Sequence, residues 1–283
     1  MIKLCAFADE ADGSLLGQIQ ALQRNGIEYI ELRSVNGKNI KDVTEAEALE
    51  YAELLKANGI KVFSIGSPIG KTDIDVDIDA YLEEISHIFK LANILGTEKI
   101  RMFSFFNAYE KREKVLSNLT KMAEKAKEYG VTLYHENEKD IYGDIAERVK
   151  DVLDNVPALK SIYDPANYLQ VGEKAETTLD LFHARTDYFH IKDVIVETGE
   201  LVPAGYGDGK LDELVKRIDK DIVLSIEPHL AIFAAYAQID GTEMKHKFKF
   251  HSNGEAFDAA VNAIKNVLKN AGYQEIDGAF IKA

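Results

Sequence analysis

Two hydrophobic periods alternate along most of the chain. Four stretches share one grammar: "IQALQRNGIEYIEL", "AELLKANGIKVFSIG", "KLANILGTEKIRMFS" and "EKAKEYGVTLYHE". In each, apolar residues at helical spacing reach a glycine and give way to a short run of β-favouring residues. Gly26, Gly59, Gly96 and Gly130 sit where a helix C-terminus wants a residue at positive φ. They are spaced by 33, 37 and 34 residues, so the helix–glycine–strand unit repeats. Thr44 with Glu47, and Ser252 with Glu255, have capping-box spacing at predicted helix starts.

Strands alternating with helices at this period call for a parallel sheet with right-handed crossovers. "IKLCAFA" precedes the four units, and "LKSIYD", "DYFHIK" and "DIVLSIE" follow them, which makes eight strands. The last predicted helix lies in "GEAFDAAVNAIKNVLKNAG". Eight βα units predict an α/β fold, a single (β/α)8 TIM barrel. The open doubly wound sheet is the alternative, but no GxGxxG follows the first strand. With no linker or low-complexity segment, residues 1–283 read as one domain.

Composition narrows the function classes. The 283 residues are 46% hydrophobic, enough for one barrel core, and no apolar run approaches the length of a membrane span. The formal charge of −14, from 34 basic and 48 acidic side chains, opposes a nucleic-acid partner, which needs a cationic surface. Cys5 is the single cysteine, so an internal disulfide and a cysteine-based zinc cluster are both excluded. "MIKLCAFADEADG" turns acidic too early for a signal peptide. A reduced, cytoplasmic protein is expected.

In such a barrel the chemistry sits at the C-terminal strand ends. The last four strands end at Glu136 ("LYHEN"), Asp164 ("SIYDPAN"), His190 ("YFHIKD") and Glu227 ("SIEPH"). Any one of them alone reads as a cap, a loop residue or a satisfied core histidine. Together, three carboxylates and an imidazole on one rim would repel strongly without a cation. That donor set suits one divalent ion, Mn²⁺ first, with Co²⁺, Mg²⁺ or Zn²⁺ as alternatives. Asp164 and Glu227 both precede prolines, which bias them to extended geometry at the strand terminus.

The motifs "HENEK", "DPAN", "HIKD", "PAGYGDG" and "SIEPHL" resemble the xylose isomerase-like superfamily of sugar and sugar-phosphate isomerases and epimerases. That superfamily includes ketose 3-epimerases, hydroxypyruvate isomerase and inosose dehydratase, and is related to the family 2 apurinic endonucleases. The resemblance implies a TIM barrel with a metal held by Glu136, Asp164, His190 and Glu227. It also implies proton transfer by Glu136 and Glu227, as the two glutamates do in the epimerases. The expected function is a metal-dependent sugar isomerase or C3 epimerase acting through a metal-stabilised enediolate. A lyase or dehydratase on a keto-sugar, keto-inositol or 3-oxo glycoside is the alternative, and a non-catalytic sugar-binding barrel a further one. The endonuclease reading fails because that chemistry uses additional histidines, which the early strand ends here lack.

Other residues are candidates for substrate contact. Lys192 lies two residues beyond His190 on the same strand face, so it reads either as a substrate ligand or as a surface lysine paired with Asp193. Asn167 and His229 follow metal ligands closely. Arg33 and Arg101, at or near strand ends, suit an anionic group or a structural ion pair. Asn137 would face away from Glu136. "PAGYGDGKLDEL" reads as a phosphate cradle or as turns with Asp208 near a helix start. The long connection 229–253, with its apolar "LAIFAAYA", suggests a substrate cover or a contact in a homo-oligomer, and its His246 and His251 read as loop histidines.

Overall fold

In the computed structural model, which describes residues 1–231 and 248–282, Gly26, Gly59, Gly96 and Gly130 have φ of +68°, +73°, +75° and +70°. Each ends its helix as the sequence predicts. The strands that follow, with those outside the four units, are β1 (Ile2–Ala6), β2 (Tyr29–Leu32), β3 (Lys61–Ile65), β4 (Lys99–Met102), β5 (Thr132–Glu136), β6 (Lys160–Tyr163), β7 (Tyr188–Ile191) and β8 (Ile222–Ile226). Each pairs in parallel with the next, and β8 closes on β1 from Ile2↔Ile222 to Ala6↔Ile226. The fold is a (β/α)8 TIM barrel.

Around it run α1 (Leu15–Arg24), α2 (Glu45–Ala57), α3 (Ile78–Ile94), α4 (Arg112–Glu128) and α5 (Ala146–Asn155). Two short helices, α6 (Pro165–Gln170) and α7 (Ala175–Phe182), join β6 to β7. α8 (Leu211–Lys216) precedes β8, and α9 (Asn253–Asn270) follows it. Thr44 and Glu47 form the full capping box at α2. At α9, Ser252 accepts from the Glu255 amide, but Glu255 accepts from the His251 amide instead, so the box is only half made.

Three hairpins were not visible in the helical and strand periods. They pair Ser34–Val35 with Lys38–Asn39, Asp193–Ile195 with Glu200–Val202, and Tyr273–Ile276 with Ala279–Lys282. The last adds to the barrel itself. β2 reaches β1 only at Cys5 and Ala6, which leaves Ile2 and Lys3 to pair with Phe280 and Ala279.

Strand alternation sorts the core into two compartments. Ile30, Leu32, Leu133, Phe189, Leu224 and Ile226 join the cluster that includes Leu22, Ile85, Leu119 and Ile264 of the helices. Inside, Tyr134, Ile162 and Tyr188 pack with Phe63 and Val223 as a separate apolar layer. Between β2 and β3 the register steps from Ile30↔Val62 to Glu31↔Ser64, so Phe63 is an extra residue on β3. Such a bulge re-aims side chains. Here it accompanies Phe63 against the Tyr188 ring, 5.1 Å between centroids, and Ser64 Oγ 3.3 Å from the Tyr188 hydroxyl.

Residues 232–247, and with them His246 and most of "LAIFAAYA", lie outside the described residues. His251 is exposed.

Candidate active site and metal centre

The polar site stands on the apolar layer by a two-residue step. One step up from Tyr134, Ile162, Tyr188 and Val223 come Glu136, Asp164, His190 and Ser225, and a second step on β7 and β8 gives Lys192 and Glu227. All six are buried. Glu136, Asp164, His190 and Glu227 each offer an atom within 4.8 Å of the others. His190 Nδ1 lies 2.8 Å from Glu136 Oε1 and 3.4 Å from Glu227 Oε2. Oxygen and nitrogen ligands about 2.0 to 2.2 Å from one ion leave ligand–ligand gaps of this size.

Two further observations fit a cation. Glu136 Oε2 and Asp164 Oδ2 are buried and take part in no directed hydrogen bond, although each lies near a cation. Arg101 Nη1 is 3.3 Å from the former and Lys192 Nζ 2.9 Å from the latter. Burial raises the Asp164 carboxyl to about 7; Lys192 opposes the rise, while Glu136 and Glu227 add to it. The donor set matches a divalent ion of the Mn, Mg, Co or Zn type.

His190 is oriented from behind. Its Nε2 lies 3.1 Å from Glu31 Oε2, leaving Nδ1 for the ligand side. Glu31 also accepts from Ser225 Oγ at 2.6 Å and from the Tyr188 hydroxyl at 2.9 Å. This is the carboxylate–imidazole arrangement that fixes the tautomer of a metal-binding histidine. Burial works against both charges. Even so, His190 holds the Glu31 carboxyl below its usual range, and Glu136 and Glu31 hold the imidazole well above its own. Phe7 packs edge-on against the His190 ring at 5.2 Å and under the Arg33 guanidinium at 4.4 Å.

Asp164 is clamped by its backbone. Asn137 accepts from its amide and donates to its carbonyl, both at 2.9 Å. Asp164 caps α6 by accepting from the Asn167 amide at 3.0 Å, with Pro165 at the first helical position. Asn167 Nδ2 in turn donates to the Asn137 carbonyl at 2.9 Å. Asn137 therefore turns away from Glu136, as alternation predicts, but braces the neighbouring Asp164.

Arg33 and Arg101 are both in the site, and both are engaged by protein. Arg33 makes a two-bonded pair with Asp9 (2.9 and 2.8 Å) and reaches Glu227 Oε1 at 2.8 Å. Arg101 Nη1 lies 3.2 Å from the same Glu227 oxygen, and Nη2 donates to the Gly66 carbonyl. Lys192 pairs with Asp164 rather than Asp193. His229, at φ +48°, lies beside Glu10 and Glu227; burial lowers its imidazole to about 4.

The glycine-rich loop is folded around Asp193. That carboxylate accepts from the amides of Gly205, Gly207, Gly209 and Val194 at 2.9 to 3.1 Å. The loop amides thus serve a turn. Asp208 accepts from the Val196 amide, and Lys210, not Asp208, is the residue before α8.

The sequence reading did not include Glu31, Asp9, Glu10 or Ser225. Glu31 had a signal: it lies between Tyr29 and Arg33 at strand spacing, on the face that points inward.

A family model described as xylose isomerase-like TIM barrel matches residues 19–231. No curated protein matches the sequence. Among solved structures, a probable 3-DHS dehydratase involved in petrobactin synthesis, from Bacillus anthracis, is 17% identical with a TM-score of 0.72, covering 94% of this chain and 99% of that one. IOLI protein with a binding zinc atom is 17% identical, with a TM-score of 0.70 and coverage of 95% and 99%. D-allulose 3-epimerase from Methylomonas sp. is 16% identical, with a TM-score of 0.72 and coverage of 94% and 98%. At these identities the structures share the fold, whereas the sequence match spans most of the chain: it belongs to the xylose isomerase-like TIM barrel family.

Proposed function

We propose that this protein is a divalent-metal-dependent sugar isomerase or 3-epimerase working through an enediolate. The observation that carries the reading is the convergence of Glu136, Asp164, His190 and Glu227 at the C-terminal end of the barrel. A divalent ion held by these residues supplies Lewis-acid polarisation of a carbonyl and its neighbouring hydroxyl; manganese is our first assignment. Glu136 and Glu227 then move the proton on carbon. Glu227 Oε1 faces two guanidiniums, at 2.8 and 3.2 Å, and Glu136 meets Arg101 at 3.3 Å and the His190 imidazole at 2.8 Å. Both carboxylates are thus paired, and each is assigned the proton on the substrate face it meets. Lys192, held as an ammonium beside Asp164, stabilises developing negative charge on substrate oxygen.

A second reading is dehydration of a keto-polyol. In this reading Lys192, paired with Asp164, would protonate the departing hydroxyl, and one structural neighbour is named a probable 3-DHS dehydratase. Loss of water in the product distinguishes the two. A binding protein without catalysis would exchange no substrate hydrogen with solvent.

Glu136→Gln and Glu227→Gln test the reading, because glutamine keeps a coordinating oxygen but accepts no proton as a carboxylate does. With metal restored, each variant should lose on the order of 10² to 10⁴ in turnover on its best ketose. Near-normal turnover in both would remove the glutamates from proton transfer. Deuterium uptake from solvent locates the carbon: loss of uptake in one variant alone indicates same-face isomerisation, and epimer-specific loss in each indicates epimerisation.

A further inference from the structure

We propose that the site is built for an uncharged polyhydroxy substrate, and that Glu138 enforces this by holding Lys71 at the rim; the inference rests on the sugar reading above. Among the described residues, four side-chain cations converge here, and each is answered by protein carboxylate. Arg33 is taken by Asp9 and Glu227, Arg101 by Glu136 and Glu227, and Lys192 by Asp164. Lys71 pairs with Glu138 Oε2 at 3.0 Å and lies 4.3 Å from the Phe103 ring centroid. The side chains of Lys71 and Glu138 are each 14% exposed against 5% for Lys192, so this pair stands outermost.

The charge balance points the same way. Asp9, Glu31, Glu136, Glu138, Asp164 and Glu227 outnumber these four cations, burial raises the Glu10 carboxyl to about 8, and one divalent ion at the ligands brings the signs level without making the site cationic. The glycine-rich loop, where barrels commonly seat phosphate, already has Asp193 on its amides. An entering phosphate or carboxylate would therefore meet paired cations and like charge, which costs several kcal/mol where it is not relieved. Neutral hydroxyls meet no such cost and can both donate and accept.

Sorbitol and sorbitol 6-phosphate probe this directly, since they lack a carbonyl and bind without turnover. Calorimetry on the manganese-loaded protein should show sorbitol binding at least about tenfold more tightly than its phosphate. Glu138→Gln should narrow that ratio by releasing Lys71, and adding Lys71→Met should restore it. Equal or tighter binding of the phosphate by the unaltered protein would overturn the proposal, as would a ratio unmoved in Glu138→Gln. Solvent deuterium uptake separates the two readings. Uptake into phosphorylated ketoses but not free ones would keep the enediolate chemistry and overturn the neutral-substrate inference. Preference for sorbitol with no uptake into any ketose would do the reverse.

Discussion

Glu31 offers the sharpest test of how the proposed metal centre is held. Its Oε2 serves both His190 Nε2 and Ser225 Oγ, and its Oε1 serves the Tyr188 hydroxyl. In Glu31→Gln the amide oxygen can take the Oε2 position and keep the first two bonds. The amide NH₂ then faces the Tyr188 oxygen, whose proton can turn to Ser64, 3.3 Å away. Geometry and tautomer survive, and only the charge behind the imidazole is lost. Glu31→Leu removes the acceptor altogether and strands buried donors on His190 and Ser225, each costing about 1 to 3 kcal/mol. Loss of an outer carboxylate typically weakens metal binding by about 10- to 100-fold. The glutamine variant belongs at the lower end, about 1.4 kcal/mol, and the leucine variant at or beyond the upper, about 2.8 kcal/mol. Competition with a chelating dye gives the Mn²⁺ affinity, and circular dichroism establishes that both variants are folded. If folded Glu31→Leu bound Mn²⁺ as the unaltered protein does, or if the two variants were equally weakened, Glu31 would not be setting the imidazole.

Metal binding should also release protons. His190 is held protonated in the metal-free site, and ligation through Nδ1 requires that proton to leave, while Asp164, raised to about 7, gives up about half a proton more; roughly one and a half protons should go at pH 7, with affinity rising as pH rises. Calorimetry in buffers of different ionisation heat measures this, and heats independent of buffer would refute it. A separate histidine governs acid stability. Burial lowers His135 from 6.5 to about 4, so the unfolded chain takes up the proton first as pH falls. Its contribution is complete above about pH 6.5 and drains away towards pH 4, amounting to roughly 2 kcal/mol between pH 7 and 4.5. Urea unfolding of the metal-free protein should show that slope flattened in His135→Gln; an unchanged slope would remove His135 as its source.

The barrel was legible because its signals are local. Each of Gly26, Gly59, Gly96 and Gly130 marks a helix end within one unit of the chain, and the strand after it follows at once. The polar strand ends were legible for the same reason, since Glu136, Asp164, His190 and Glu227 each close an apolar run. What surrounds them was not. Arg33 reaches back to Asp9 and across to Glu227, 24 and 194 positions away, and no periodicity records such partners. Glu31 has the same local pattern as the polar member of a half-exposed strand, because a barrel interior turns polar only above its apolar layer. Asp193 beside "PAGYGDG" shows the reverse: a loop rich in glycine can spend its amides on the chain's own carboxylate. The terminal hairpin was missed because its pairing with β1 joins opposite ends of the sequence.

The layer of Phe63, Tyr134, Ile162, Tyr188 and Val223 gives the polar cup a dry floor. Above it, the Lys71–Glu138 pair is the most exposed ion pair of the site among the described residues. While substrate covers the opening, exchange of a proton lifted by a carboxylate with bulk water should be slowed. Isotope bookkeeping on a same-face isomerisation should therefore show part of the labelled hydrogen carried from substrate into product beside the solvent uptake, whereas epimerisation by two glutamates, which delivers a different proton, should carry none.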